Sequence, residues 1–96
     1  ITALAALAQE TRLQAFRELV KAHDPDPQAG GLAAGELARR LGVPAPTLSF
    51  HLKELHRAGL VHSSKRGRSV IYQAGLDTMQ SLAGYLLEDC CGGACG

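Results

Sequence analysis

Residues 35–61 read GELARRLGVPAPTLSFHLKELHRAGLV and residues 65–73 read KRGRSVIYQ; between them these two runs decide the fold. Glu36 to Leu41 has the spacing of a short helix, with Leu37, Ala38 and Leu41 on an inward face and Arg39 and Arg40 facing outward. Gly42 ends that helix, and Val43-Pro44-Ala45 makes a tight turn. Pro46 suits the first turn of a new helix, where its missing N–H costs nothing. This second helix is predicted to run to Ala58, and Leu48, Leu52 and Leu55 recur at i, i+4 and i+7 as its buried stripe. Gly59 supplies the left-handed stop and Leu60 the apolar contact that accompanies it. Leu60–Ser64 and Ser69–Gln73 then predict a hairpin around the tip Lys65-Arg66-Gly67-Arg68, with Val70 and Tyr72 on one face and Ile71 on the other.

Outward from this centre the pattern stays helical. Thr11 is placed to cap a helix to about Ala22 whose inward face is Leu13, Phe16, Leu19 and Val20. His23 to Gly31 (HDPDPQAGG) is a loop, because two prolines and two glycines forbid a continuous helix. His23, Asp24 and Asp26 imitate a metal site there, but Asp-Pro pairs are ordinary turn chemistry and a solvated turn is the expectation. Residues 1–8 (ITALAALA) have no polar face, so a helix there is expected to be buried all round. A last helix from about Leu76 to Asp89 carries Leu76, Met79, Leu82, Ala83, Leu86 and Leu87, a stripe wider than packing on one side requires. Together the two terminal helices predict a second contact surface, most economically another copy of the chain.

A chain of 96 residues forms one domain, and 46% hydrophobic with 20% charged residues excludes wholesale disorder. The two units expected are residues 1–89, a DNA-binding and dimerisation domain, and residues 90–96, a cysteine-rich tail. No apolar run approaches the ~20 residues that span a bilayer, and no signal peptide is visible, so the cytoplasm is the expected compartment and no membrane the expected partner. The chain starts at Ile1 without an initiating methionine, so a short N-terminal piece is expected to precede it. No Gly-rich phosphate loop and no base beside a nucleophile is present, which speaks against an enzyme; no catalytic residue and no organic cofactor are expected.

The net charge of +1 hides an asymmetry. Arg39, Arg40, Lys53, Arg57, Lys65, Arg66 and Arg68 face a single acid, Glu54, in the window 39–68, giving it +6, while the remainder carries −5. A basic middle third between acidic flanks is the footprint of a surface for a polyanion, although a solvated polar face has the same composition. Two short helices joined by a glycine turn and followed by a basic hairpin form the compound signal of a winged helix-turn-helix: mainly α with a small β-hairpin, and homodimeric. In such a unit the second helix enters the major groove, and its outward residues here are Thr47, Ser49, Phe50 and Lys53. Serine and threonine donate or accept at base edges; Phe50 either meets a thymine methyl or packs back against its own helix. His51, beside the leucine stripe, is placed to donate to a phosphate. Arg66 and Arg68 at the tip lie along the backbone or minor groove, and Lys65, Arg39 and Arg40 add Coulombic attraction to double-stranded operator DNA.

The runs LAQETRLQAFREL (7–19), GELARRLGVPAPTLSFHLKELHRAGLV and KRGRSVIYQ resemble the ArsR/SmtB family of bacterial metal-sensing repressors from Leu7 to about Leu87. That resemblance implies a homodimeric winged-helix protein that sits on an imperfect palindrome and leaves when an inducer binds. Ser49, His51 and Lys53 fall on the family's recognition-helix positions. The Cys-Val-Cys of the familiar arsenic sensors is replaced here by Gly-Glu-Leu-Ala, and the last helix offers only Asp77, Glu88 and Asp89, with no histidine for zinc.

All three cysteines instead fall in the tail, at Cys90, Cys91 and Cys95. Core thiols would be scattered, whereas clustered free thiols are a liability unless used. The Gly92-Gly93 hinge lets Cys95 fold back toward the adjacent pair, giving a soft, all-sulfur set that suits trivalent arsenic or antimony. Zinc would need a fourth ligand. Cadmium, lead, mercury and copper(I) share the ligand preference, and a thiol redox switch or an unused tail are the other readings of the same residues.

Overall fold

The computed structural model describes residues 2–26 and 28–88. In chain order these form α1 (Thr2–Leu7), α2 (Glu10–Lys21), β1 (Leu32–Ala33), α3 (Ala34–Leu41), α4 (Ala45–Arg57), β2 (Val61–Arg66), β3 (Ser69–Ala74) and α5 (Leu76–Leu86). The helical frame and the hairpin are where the sequence predicts them. The sheet, however, is three-stranded and antiparallel in the order β1-β3-β2. Leu32 pairs with Tyr72 and Ala33 with Ile71, so β3 is the central strand. The β2–β3 ladder runs from Val61 opposite Ala74 to Arg66 opposite Ser69. It therefore continues two residues further toward the tip than expected, leaving Gly67 and Arg68 as the turn. Gly67 has φ 63°, the positive value that such a short hairpin turn demands at its first position.

The core is built from leucines: Leu19, Leu37, Leu48, Leu52, Leu55 and Leu60 are fully buried. Each such side chain contributes about 1.5–3 kcal/mol relative to exposure, so the α4 stripe alone anchors the helix firmly. Gly42 closes α3 in the left-handed conformation, and the Val43 N–H returns to the Ala38 carbonyl at 3.2 Å. Pro44 in extended conformation then opens α4, with Pro46 inside its first turn. At the other end the Leu60 N–H returns to the Leu55 carbonyl at 3.0 Å and carries Leu60 into the core. Where β3 hands over to α5, the Gly75 N–H donates to the Leu60 carbonyl at 2.6 Å.

Several local expectations are corrected. Gln9, not Thr11, caps α2, its side-chain oxygen accepting the Arg12 N–H at 2.9 Å. Phe16 and Leu19 are buried as expected, but Leu13 and Val20 are each 41% exposed, and Ala15 takes their place in the core. The cause is geometric: α2 is pressed against α3, α4 and β3 along its Ala15-Phe16-Leu19 side, and Leu13 and Val20 project roughly a quarter turn or more away. α3 begins at Ala34, two residues earlier than the pattern suggested.

The terminal helices are not enclosed within one chain. In α1 only Ala6 is buried and Leu4 lies exposed; α5 stops at Leu86 and has no buried residue. Leu76 and Met79 rest on the edge of the core, while Tyr85, Leu86 and Leu87 face outward. α1 and α5 also touch one another. No helix among the described residues is long and apolar enough to cross a membrane.

Candidate nucleic-acid interface

The outer face of α4 is set by the burial of its inner face. Because Leu48, Leu52 and Leu55 point into the core, the 100° step per residue carries Pro46, Ser49, Phe50 and Lys53 to the opposite side, where all four are exposed. Thr47 is exposed on the shoulder of the same surface. Phe50 is 55% exposed, so it is not folded away against its own helix. These side chains form a short ridge with hydroxyl, aromatic and ammonium groups in reach of an object lying along the helix.

His51 is placed differently from the expectation. It is 9% exposed, and its Nδ1 accepts the Nε–H of Arg12 at 3.1 Å, so the ring turns inward to α2 rather than outward to a phosphate. Burial foremost, and the Arg12 charge second, hold its pKa below the ordinary histidine value, keeping the ring neutral at pH 7. The sequence carried the signal: Leu48, His51, Leu52 and Leu55 stand at i, i+3, i+4 and i+7, so His51 belongs to the buried stripe. Arg12 gave no such sign, because its role depends on how α2 crosses α4. Its guanidinium carbon lies 5.7 Å from the Phe50 ring centre, within the range of a cation–π contact.

The basic window is also less uniform than its formal charge. Arg39 Nε donates to Glu36 at 2.9 Å, and Arg40 Nε to the other Glu36 oxygen at 3.2 Å. Arg40 also approaches Glu18 of α2 at 3.8 Å, and Arg57 pairs with Glu54 at 3.5 Å. Hydrogen bonds from Arg39 first and Arg40 second keep the Glu36 carboxyl below its usual range, and the Lys21 hydrogen bond does the same for Glu18. Lys53, Lys65 and Arg68 have no ion-pair partner among the described residues. Arg66 is half-buried and donates to the Ala29 carbonyl at 3.1 Å, where the Gln73 amide also donates at 3.1 Å. That contact fixes the wing to the loop before β1 rather than leaving Arg66 free at the tip.

In that loop Asp24 accepts the Asp26 N–H and Asp26 the Gln28 N–H, each at 2.9 Å, which is the turn chemistry expected of Asp-Pro pairs. No cluster of three His, Cys, Asp or Glu side chains able to hold a metal occurs among the described residues. Cys90, Cys91 and Cys95, and with them the whole 90–96 unit, lie outside the described residues.

Two helices joined by the Gly42 turn, the second carrying an exposed ridge and followed by a basic hairpin, define a winged helix-turn-helix. The chain matches the helix-turn-helix domain family over residues 7–64, more than half its length, and it belongs to that family. Its winged-helix build is that of the ArsR-like regulators. An ArsR-like transcriptional regulator from Rhodococcus sp. RHA1 superposes with a TM-score of 0.76 at 34% identity, covering 91% of this chain and 74% of that one. HlyU from Vibrio cholerae N16961, whose namesake from that species is described as a transcriptional activator, gives a TM-score of 0.70 at 31% identity over 94% of this chain and 89% of that one. The HTH-type transcriptional regulator Rv2034 of Mycobacterium tuberculosis is 44% identical over 68 residues, 71% of this chain and 56% of that protein. The chain spans about half the length of the curated relatives it matches.

Proposed function

We propose that the chain is a cytoplasmic, metalloid-responsive transcriptional repressor, not an enzyme, that binds double-stranded operator DNA as a homodimer. The observation that carries the DNA reading is the exposed ridge of Thr47, Ser49, Phe50 and Lys53 on α4, together with the wing cations Lys65 and Arg68, which pair with no carboxylate among the described residues. The ridge supplies base-edge chemistry and the cations supply phosphate attraction. The dimer reading is supported by Leu4 of α1 and by Tyr85, Leu86 and Leu87 at the end of α5, apolar groups that a second copy would cover.

The inducer we propose is trivalent arsenic, with antimony as its close chemical relative, held by Cys90, Cys91 and Cys95. The donor set supports this: arsenous acid exchanges its three hydroxyls for three thiol sulfurs and releases three waters, needing no fourth ligand. Cys90 follows Leu86, the last residue of α5, by four positions. Gathering the tail would therefore act on the helix assigned to the dimer face, and a coupling of about 1–3 kcal/mol between the two sites suffices to release DNA.

The test uses a duplex enriched by the protein from a random-sequence pool, followed by mobility shift with and without arsenite under reducing conditions. Release by arsenite, blunted in Cys95→Ser while DNA binding without arsenite is unchanged, is the expected outcome. Equal release from the Cys95→Ser protein overturns the three-sulfur site. Release by a mild oxidant alone, with arsenite inert, would replace the metalloid with a thiol redox signal, and release by cadmium, lead or zinc alone would replace the ion.

A further inference from the structure

Arg12 connects two parts of the molecule that the sequence separates widely. Its Nε–H donates to His51 Nδ1 at 3.1 Å, joining α2 to the inner side of α4. The same guanidinium lies 5.7 Å from the centre of the Phe50 ring. The Phe50 and His51 rings meet edge-on, with centroids 5.5 Å apart and planes at 62°. One cation thus holds a buried acceptor on one side and an exposed aromatic ring on the other. Phe50 is 55% exposed and His51 9%, so the contact runs from the core to the outer ridge of α4.

We propose that Arg12 is a positioning residue for base recognition: anchored on His51, it fixes the Phe50 ring on the DNA-facing ridge, so that sequence discrimination depends on it. The proposal rests on the reading of α4 as the helix that enters DNA. Without the guanidinium, Phe50 regains its side-chain freedom, and the ring is no longer held at one place along the helix. Arg12 is also a cation beside the ridge, so its loss trims phosphate attraction for every sequence alike, a share that cancels in the ratio of two affinities.

The anchor is proton-sensitive. Nδ1 accepts only while it carries no proton, and Nε2 then bears the ring hydrogen. Protonation of Nδ1 removes the acceptor and sets an imidazolium against a guanidinium. Of the elements packed on α4, α2 brings Arg12 to the ring, and α1 (TALAAL) carries no titratable side chain. The α3 charges Glu36, Arg39 and Arg40 are engaged with one another and with Glu18, and β2 directs His62 and Lys65 outward, with Arg66 on the Ala29 carbonyl. Arg12 is the charged group that acts on His51.

The experiment measures the affinity ratio between the pool-enriched duplex and a scrambled duplex for the full chain, Arg12→Ala and His51→Asn, from about pH 7.5 downward through the His51 midpoint. The asparagine oxygen stands close to the position of Nδ1 and does not titrate. Arg12→Ala is expected to lower the ratio about tenfold, a loss of discrimination beyond any sequence-independent loss seen on scrambled DNA. The parent is expected to lose its ratio as the pH falls through the His51 midpoint, whereas the ratio of His51→Asn shows no step there. Imidazole nitrogen shifts, which need no DNA, are expected to show the His51 midpoint rising in Arg12→Ala. A natively folded Arg12→Ala protein with an unchanged ratio overturns the proposal, as does a His51→Asn protein with the parent's pH response. Failure of the parent to enrich any sequence overturns instead the DNA reading on which the proposal stands.

Discussion

Exchanging Lys65 and Arg68 for glutamine removes two cations from each wing and leaves the Gly67 turn and the Arg66–Ala29 contact in place. Lys53, Lys65 and Arg68 are the exposed cations of α4 and the wing that no described carboxylate answers. If each meets one phosphate, two protomers neutralise about six, and log K falls against log[salt] with a slope of about −5. The double variant leaves about two phosphate contacts and a slope of about −2. Between about 50 and 200 mM salt the parent should then lose about a thousandfold in affinity and the variant only about tenfold. Fluorescence anisotropy with a labelled duplex at four potassium chloride concentrations reads both slopes directly. Arg39→Gln with Arg40→Gln is the contrasting pair, because Glu36 and Glu18 already answer those charges, and its slope should stay close to the parent's. The reasoning fails if the wing variant retains the parent slope, or if the α3 variant loses as much as the wing variant does.

Two further outcomes concern stability. A Cβ at Gly75 would lie 2.4 Å from the Gly59 carbonyl oxygen, so Gly75→Ala is expected to cost about 2 kcal/mol or more by overpacking, against about 1 kcal/mol for Gly67→Ala, whose positive φ is strained but whose surroundings are open. Urea midpoints compare the two, and equal losses would remove the steric argument. The pH dependence follows from His51, whose pKa is lowered in the folded chain by burial and by Arg12. The unfolded chain takes up the proton first as the pH falls, so this contribution to stability is complete above about pH 6.5 and is lost progressively below it, down through the folded value. Denaturant unfolding across that range should show the decline in the parent and a flatter curve in His51→Asn.

Much of the centre was legible because it obeys short-range rules. The Leu48-Leu52-Leu55 stripe, the stops at Gly42 and Gly59 and the entry at Pro46 are each set by residues within one or two turns of one another. β1 was not legible: two residues have no periodicity, and only β3 makes Leu32 and Ala33 a strand. The buried face of α2 departs from the apolar pattern for a similar reason, since Ala15 is buried by the close approach of its neighbours rather than by its own hydrophobicity. On the candidate site, the ridge of α4 was readable as the complement of the stripe. The burial of His51 was written in the same spacing. The compensation of Arg39 by Glu36 was visible at i, i+3, whereas the approach of Arg40 to Glu18 and of Arg12 to Phe50 joins separate helices and has no local trace.

The two-residue ladder of β1 also implies an order of assembly. Leu32 and Tyr72 pair across about forty intervening positions, while β2 and β3 join through their own short turn, so the hairpin is expected to close before β1 docks onto it. Such a late seam opens first, and its amide hydrogens should exchange with solvent well before those of the hairpin.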